Sequence, residues 1–124
     1  GGAVILRLPY PPSLNRYYRY VGSRVLISKA GRQYRTAVAQ AFMLQNIGVT
    51  HEPYAGRISM TIHTYAPDAK ARDLDNVCKS ILDSLQEAHV YVNDAQIDDL
   101  HIIRGVKVAK PGFVMVNIQP LESL

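Results

Sequence analysis

The chain predicts an α/β (α+β) two-layer sandwich: a mixed sheet of about four strands covered by two helices, in the order β-α-β-α-β-β. Three observations predict it. Residues 3–8 and 57–65 alternate apolar and polar side chains with the period of two of a half-buried strand. Two longer segments, 28–47 and 74–88, repeat apolar residues at helical spacing instead. Two further strand-like runs, 100–108 and 113–118, flank a Lys110-Pro111-Gly112 turn.

In the first strand Val4, Leu6 and Leu8 share one face, and the prolines at 9, 11 and 12 end it by removing donors and fixing φ. Residues 16–20 read as a loop, and Val25-Leu26-Ile27 as a short run that pairs briefly. Ser28 is a good N-cap for the first helix, whose buried face is Tyr34, Ala37, Val38, Ala41 and Leu44 and whose terminator is Gly48. In the next strand Ile58, Met60 and Ile62 face inward. The second helix buries a stripe of Leu74, Val77, Cys78, Ile81, Leu82 and Leu85, with Asp75, Lys79, Asp83 and Glu87 mainly opposite. The last two strands are expected to pair as an antiparallel hairpin, with Asp98 and Asp99 just before the first of them.

A length of 124 residues suits a single domain, 1–124, with a real core. Gly1-Gly2 without a Met reads as a remnant of cloning or proteolysis. No charged-then-apolar leader opens the chain and no stretch is long and apolar enough to span a membrane, so a cytoplasmic protein is expected. The single cysteine, Cys78, excludes an internal disulfide and suits a reducing compartment.

Charge is unevenly distributed. Up to His51 the chain has seven cations, Arg7, Arg16, Arg19, Arg24, Lys29, Arg32 and Arg35, and no acid. The remainder has seven basic and ten acidic residues, and the whole has a net charge of +4. A one-sided basic half is the footprint of a polyanion partner, although charge alone does not choose between DNA, RNA and anionic lipid.

Against that trend stand Asp73, Asp75 and Asp94, with Lys79 one turn past Asp75. Two readings are open. Asp73 is a natural N-cap, Asp75 suits the helix dipole, Asp75–Lys79 is an ordinary surface pair and Asp94 caps a turn. If the three carboxylates converge, however, their repulsion calls for a cation, and hard oxygen ligands in this small number suit Mg²⁺. Such a site would activate water against a phosphodiester, with Lys79 as donor to the phosphorane and 3′-hydroxyl and 5′-phosphate products. The weight falls on Asp94, which must fold back to the helix start. His51, His63, His89 and His101 show no zinc spacing, and no Gly-rich phosphate loop or Gly-x-Ser-x-Gly elbow is present.

These segments carry a resemblance. Leu8-Pro9-Tyr10-Pro11-Pro12-Ser13-Leu14-Asn15-Arg16-Tyr17-Tyr18, Pro67-Asp68, Arg72-Asp73-Leu74-Asp75-Asn76, Lys79 and Asn93-Asp94-Ala95-Gln96 agree in order and distance with the RusA family of phage and prophage Holliday junction resolvases. The chain is similar to that family over most of its length. The resemblance implies a bacterial or phage-encoded homodimer that nicks four-way DNA junctions symmetrically and depends on Mg²⁺, with Mn²⁺ as a substitute. It implies Asp73, Asp75 and Asp94 as metal ligands and Lys79 as the active-site cation. Two departures stand out. Ala69 and Ala71 make the loop before the motif less basic, which implies weaker junction affinity, and Asn93 replaces an acid that would support a second metal.

Arg16, Arg19, Arg24, Lys29, Lys70 and Arg72 are then expected to grip DNA phosphates. Tyr17, Tyr18 and Tyr20 are expected either to stack on unpaired bases or to pack in the loop. The reading in a different class is a non-catalytic, branched-DNA-binding dimer whose aspartates only cap a helix.

Overall fold

A computed structural model describes residues 2–121, so Gly1 and residues 122–124 lie outside the described residues. The elements run β1 (Val4–Pro9), α1 (Leu14–Tyr17), β2 (Tyr18–Val21), β3 (Arg24–Ile27), α2 (Lys29–Gln45), β4 (Ile58–Tyr65), α3 (Leu74–Glu87), a 3-10 turn (Asp94–Gln96), β5 (Ile97–Arg104) and β6 (Phe113–Pro120). Among the described residues no helix is long and apolar enough to cross a membrane.

The mixed four-stranded sheet is present, in the order β1-β6-β4-β5. β6 is antiparallel to both β1 and β4, while β5 runs parallel to β4. Alternation places Leu6 and Leu8 of β1, Ile58, Met60 and Ile62 of β4, and Val114, Val116 and Ile118 of β6 in the core, each no more than 1% exposed. Burying each such side chain contributes roughly 1.5–3 kcal/mol. Tyr34 and Val38 of α2 and Ile81 and Leu85 of α3 join that core.

Ser28 caps α2 as expected, its hydroxyl accepting from the Gly31 N–H at 2.9 Å. Gly31 is required for another reason: a Cβ there would collide with the Tyr17 carbonyl oxygen. Gly48, at φ +79°, takes the left-handed conformation that turns the chain after α2.

The structure corrects several expectations. There are three α-helices rather than two, because 14–17 form one turn whose Arg16 and Tyr17 N–H groups both bond the Ser13 carbonyl. Residues 18–20 are not loop but strand β2, which pairs with β3 as a separate two-stranded sheet. Leu44 is 67% exposed, since α2 extends past the edge of the core. β5 begins at Ile97, so Asp98 and Asp99 lie within it.

The expected β5–β6 hairpin does not form. β4 lies between those strands, fully paired on both sides, and α3 supplies the crossover that a parallel β4–β5 pair needs. The segment between β5 and β6 instead runs across the end of β4. It is held there by Gly105 N–H to Thr64 O (2.7 Å) and Val108 N–H to Ala66 O (2.9 Å). A turn signal sets a local reversal but not the partner strand.

Candidate active site

Asp73 occupies the N-cap position of α3, with its backbone carbonyl accepting from the Asn76 N–H at 3.2 Å. Its side chain makes no capping bond. Asp75, in the first turn, does not pair with Lys79 despite the i,i+4 spacing. Among the described residues neither carboxylate accepts a hydrogen bond or joins an ion pair, and both residues are exposed.

Lys79 bonds Asp94 instead. Its Nζ lies 3.3 Å from Asp94 Oδ2, fifteen residues further along the chain. Partial burial works against the Lys79 charge. Burial is the largest single influence, but the Asp94 hydrogen bond together with the Asp94, Tyr18 and Asp83 charges exceeds it, so Lys79 is held above its ordinary value and remains a cation at neutral pH.

The turn that carries Asp94 is built by its neighbours. Asn93, not Asp94, is the cap: its side chain accepts from the Ala95 N–H at 2.8 Å, and Gln96 completes a capping box. Gln96 is buried with four bonds. Its Oε1 accepts from the N–H groups of Val92 (2.9 Å) and Asn93 (2.7 Å), and its Nε2 donates to the carbonyls of Tyr54 and Gly56, both at 2.7 Å. Gln86 of α3 accepts from the Asp94 N–H at 2.8 Å, and Arg57 donates to the Ala95 carbonyl at 2.6 Å. The chain reverses as the carboxylate reading needs, but Asp94 reaches the flank of α3 beside Lys79 and Gln86.

Among the described residues no three Asp, Glu, His or Cys side chains are arranged as a ready metal site. The donor chemistry does fit a hard divalent cation: Asp73 and Asp75 are unpartnered carboxylates two positions apart, open to water. Asp94 is engaged instead by Lys79, at 3.3 Å. Cys78 is buried, and that burial pushes its thiol up, as suits an inert core residue.

The expected DNA contacts divide. Arg16, Arg19, Arg24 and Lys29 are exposed on α1, the β2–β3 ribbon and the start of α2. The Ser28 hydroxyl ties these elements together by donating to the Arg16 and Tyr17 carbonyls. Lys70 is exposed, whereas Arg72 is half-buried and paired with Asp68 at 2.7 Å. Tyr17 does not fit base stacking. It is fully buried, and its hydroxyl donates to Asp83 while accepting from Arg35 Nε at 2.8 Å. Its placement beside Arg16 in the sequence concealed that inward turn. Tyr18 packs edge-on to Tyr17 at 4.8 Å and is half-buried, and burial first, then the Asp83 charge, pushes its phenol up while Lys79 opposes. Tyr20 is 58% exposed.

Sequence reasoning passed over Arg104 and Lys107. With Tyr10, Lys70, Arg72 and Asp73 they line a cleft of about 230 Å³ beside the start of α3. The signal was two cations three positions apart, directly flanking Gly105-Val106 at the end of a strand-like run. Gln86 and Gln96 were likewise given no role; a glutamine three residues after Asn93 is the capping-box spacing.

A nuclease family accounts for this combination of a mixed sheet, an acidic helix start and a returning aspartate turn. The chain belongs to the family described as endodeoxyribonuclease RusA, whose model matches residues 9–119. It is 41% identical over 117 residues to a crossover junction endodeoxyribonuclease of Enterobacteria phage HK97, covering 94% of each chain. It is also 35% identical to the crossover junction endodeoxyribonuclease RusA of Escherichia coli K12 and 36% identical to that of Enterobacteria phage 82, each over 120 residues and 95% of both chains.

Proposed function

We propose that this chain nicks four-way DNA junctions as a Mg²⁺-dependent endonuclease, two copies forming a homodimer that makes paired symmetric cuts. One observation carries the reading: Asp73 and Asp75 are left without partners on the helix to whose flank Lys79 draws Asp94. Family membership and the junction nuclease names of the relatives support it. So does the exposed basic surface of α1 and the β2–β3 ribbon, which suits a phosphate backbone. A two-fold dimer would match a two-fold junction.

In this reading Asp73, Asp75 and Asp94 would hold the cation, and the chemistry it would supply there is water activation and charge neutralisation at the scissile phosphate. Lys79 stays protonated and donates to a non-bridging phosphate oxygen, leaving Asp94 as the phosphate arrives. The bond breaks on the 3′-oxygen side, giving 3′-hydroxyl and 5′-phosphate ends.

The Lys79–Asp94 pair is the observation behind a second reading, a non-catalytic branched-DNA-binding dimer. A synthetic four-way junction incubated with the protein and Mg²⁺ separates the two. Paired nicks that stop with EDTA and with Asp73→Asn, while junction binding persists in the variant, support the nuclease. Tight binding with no nicks in Mg²⁺ or Mn²⁺ supports the binder.

A further inference from the structure

The cleft beside α3 joins segments remote in sequence: Tyr10 after β1, the loop leading into α3, and Arg104 to Lys107 at the end of β5. Four cations line it, Lys70, Arg72, Arg104 and Lys107, against the carboxylates of Asp68 and Asp73. Those cations are not equivalent. Arg72 is engaged by Asp68 at 2.7 Å, and its guanidinium lies 5.5 Å from the Tyr10 ring centre. That hydrogen bond, followed by one from the Lys70 backbone N–H, holds the Asp68 carboxyl at about 2, so the pair stays ionised and mutually neutral at working pH. Arg104 donates to the Arg72 carbonyl oxygen. Among the described residues Lys70, Arg104 and Lys107 have no carboxylate partner.

The backbone that presents Arg104 and Lys107 is fixed. Arg104 registers with Thr64 in the β4–β5 ladder, and the Gly105 and Val108 N–H groups bond Thr64 O and Ala66 O. Gly105 lies so close to β4 that a Cβ would come 2.5 Å from the Tyr65 ring, so only glycine lets the segment approach the cleft. Cations set on a rigid frame, facing a concavity and not ion-paired with a carboxylate, are what binding an anion with little ordering entropy requires.

We infer that this cleft binds a DNA backbone phosphate adjoining the one that is cut, with Arg104 and Lys107 as its ligands. The inference rests on the proposed nuclease reading, because Asp73 on the cleft wall is what ties the bound phosphate to the reacting one. It assigns the grip to the β5 end, thirty and more positions past the Asp73–Asp75 segment.

The test measures junction affinity without divalent metal over a KCl series for wild type, Arg104→Gln, Lys107→Gln and Lys110→Gln, with melting curves for each. Removing one phosphate-binding cation should weaken binding about tenfold at 0.1 M salt and lower the slope of log affinity against log salt by about 1. Lys110→Gln, the same charge loss outside the cleft, should leave that slope unchanged. Lys107 makes no side-chain bond, so Lys107→Gln keeps the test valid even if Arg104→Gln unfolds. Slopes for Arg104→Gln and Lys107→Gln equal to that of Lys110→Gln overturn the inference. So does calorimetric binding of inorganic phosphate alone at micromolar concentration, which would mark a free-anion site. If wild type fails to nick the junction while the two cleft variants still lose affinity and slope, the phosphate site stands and the nuclease reading falls. If wild type nicks and the slopes do not move, only the cleft assignment falls.

Discussion

Helix α3 holds acids in two opposite settings. Near its C-terminal end Asp83 is saturated: Arg35 donates to it through Nε at 3.0 Å and Nη2 at 2.6 Å, and the Tyr17 hydroxyl donates as well. At its start Asp73 and Asp75 have no partner among the described residues. Both settings use the same residue type on the same helix, so propensity does not separate them. Partners do. Asp83 lies against α1 and α2, where desolvation makes an unpaired carboxylate costly and the fold supplies cations. Asp73 and Asp75 face water, where an open carboxylate is cheap and remains available to an incoming cation. A structural acid is recognised by its satisfied bonds and a candidate catalytic one by their absence.

Exchanging the chemistry of the two settings should give opposite phenotypes. Asp73→Asn or Asp75→Asn should lower junction cleavage by on the order of 10²–10³-fold or more, with stability unchanged within about 0.5 kcal/mol. Asp83→Asn should do the reverse, destabilising by about 2 kcal/mol, or roughly 8 °C in Tm, while folded protein cuts at nearly the wild-type rate. Single-turnover cleavage and calorimetry on the same preparations check both; an Asp75→Asn variant that melts early yet cuts normally would erase the distinction.

Lys79→Ala sharpens the boundary between the settings, since its ion pair with Asp94 is half exposed and adds little stability. Turnover should fall about 10²-fold with junction affinity nearly unchanged. A loss of affinity with normal turnover at saturation would assign Lys79 to phosphate grip.

Gln96→Ala tests whether the Asp94 turn is structural support for the open setting. It removes four hydrogen bonds, leaving the Asn93 N–H and the Gly56 carbonyl without this partner, while the Val92 N–H and the Tyr54 carbonyl keep their 3.3 Å bond to each other. Destabilisation of about 2 kcal/mol should accompany a drop in cleavage, because Asp94 is then no longer held beside Lys79.

The smallest effect concerns the closed setting and pH. Burial first, then the hydrogen bond to Asp83, push the Tyr17 phenol from 10.0 up to about 12. The native state therefore holds this proton more tightly than the unfolded chain. That stabilisation is complete below pH 10 and is lost as pH rises through about 12. Tyr17→Phe should lower stability at neutral pH by about 1 kcal/mol and flatten part of the alkaline loss between pH 10 and 12, measured by denaturant titration at each pH.

Much of this architecture was legible. Alternation identified β1 and β4 and their inward faces, and the stripe of α3 from Val77 to Leu85 matched the buried side. Ser28 capped α2 as expected, whereas the helix ends at Gln45 with Asn46 as its C-cap, before the expected terminator Gly48, which turns the chain further on. Leu44 failed because periodicity says which residues share a face but not how far the core extends along it. The β5–β6 hairpin failed because Pro111-Gly112 encodes a reversal, while pairing depends on β4, some fifty residues earlier. In the site, Asp73, Asp75, Asp94 and Lys79 were all named from their types and order. Tyr17 was misjudged because a phenol among arginines reads equally well as a surface stacker or as a buried hydrogen-bonding group. Arg104 and Lys107 were missed because nothing local links the end of β5 to a loop thirty residues earlier.

By itself the sequence determined what is local and additive: strand and helix periodicity, the caps, the basic first half, and the acidic motif that marks the family. Tertiary structure alone decided the rest. It gave Lys79 to Asp94 rather than to its i,i+4 neighbour Asp75, closed the network around Asp83, and brought Arg104 and Lys107 to the cleft beside Asp73. The reason is that an ion pair or a cleft depends on distances between segments, and those are set by strand order and crossover, which no window of sequence contains.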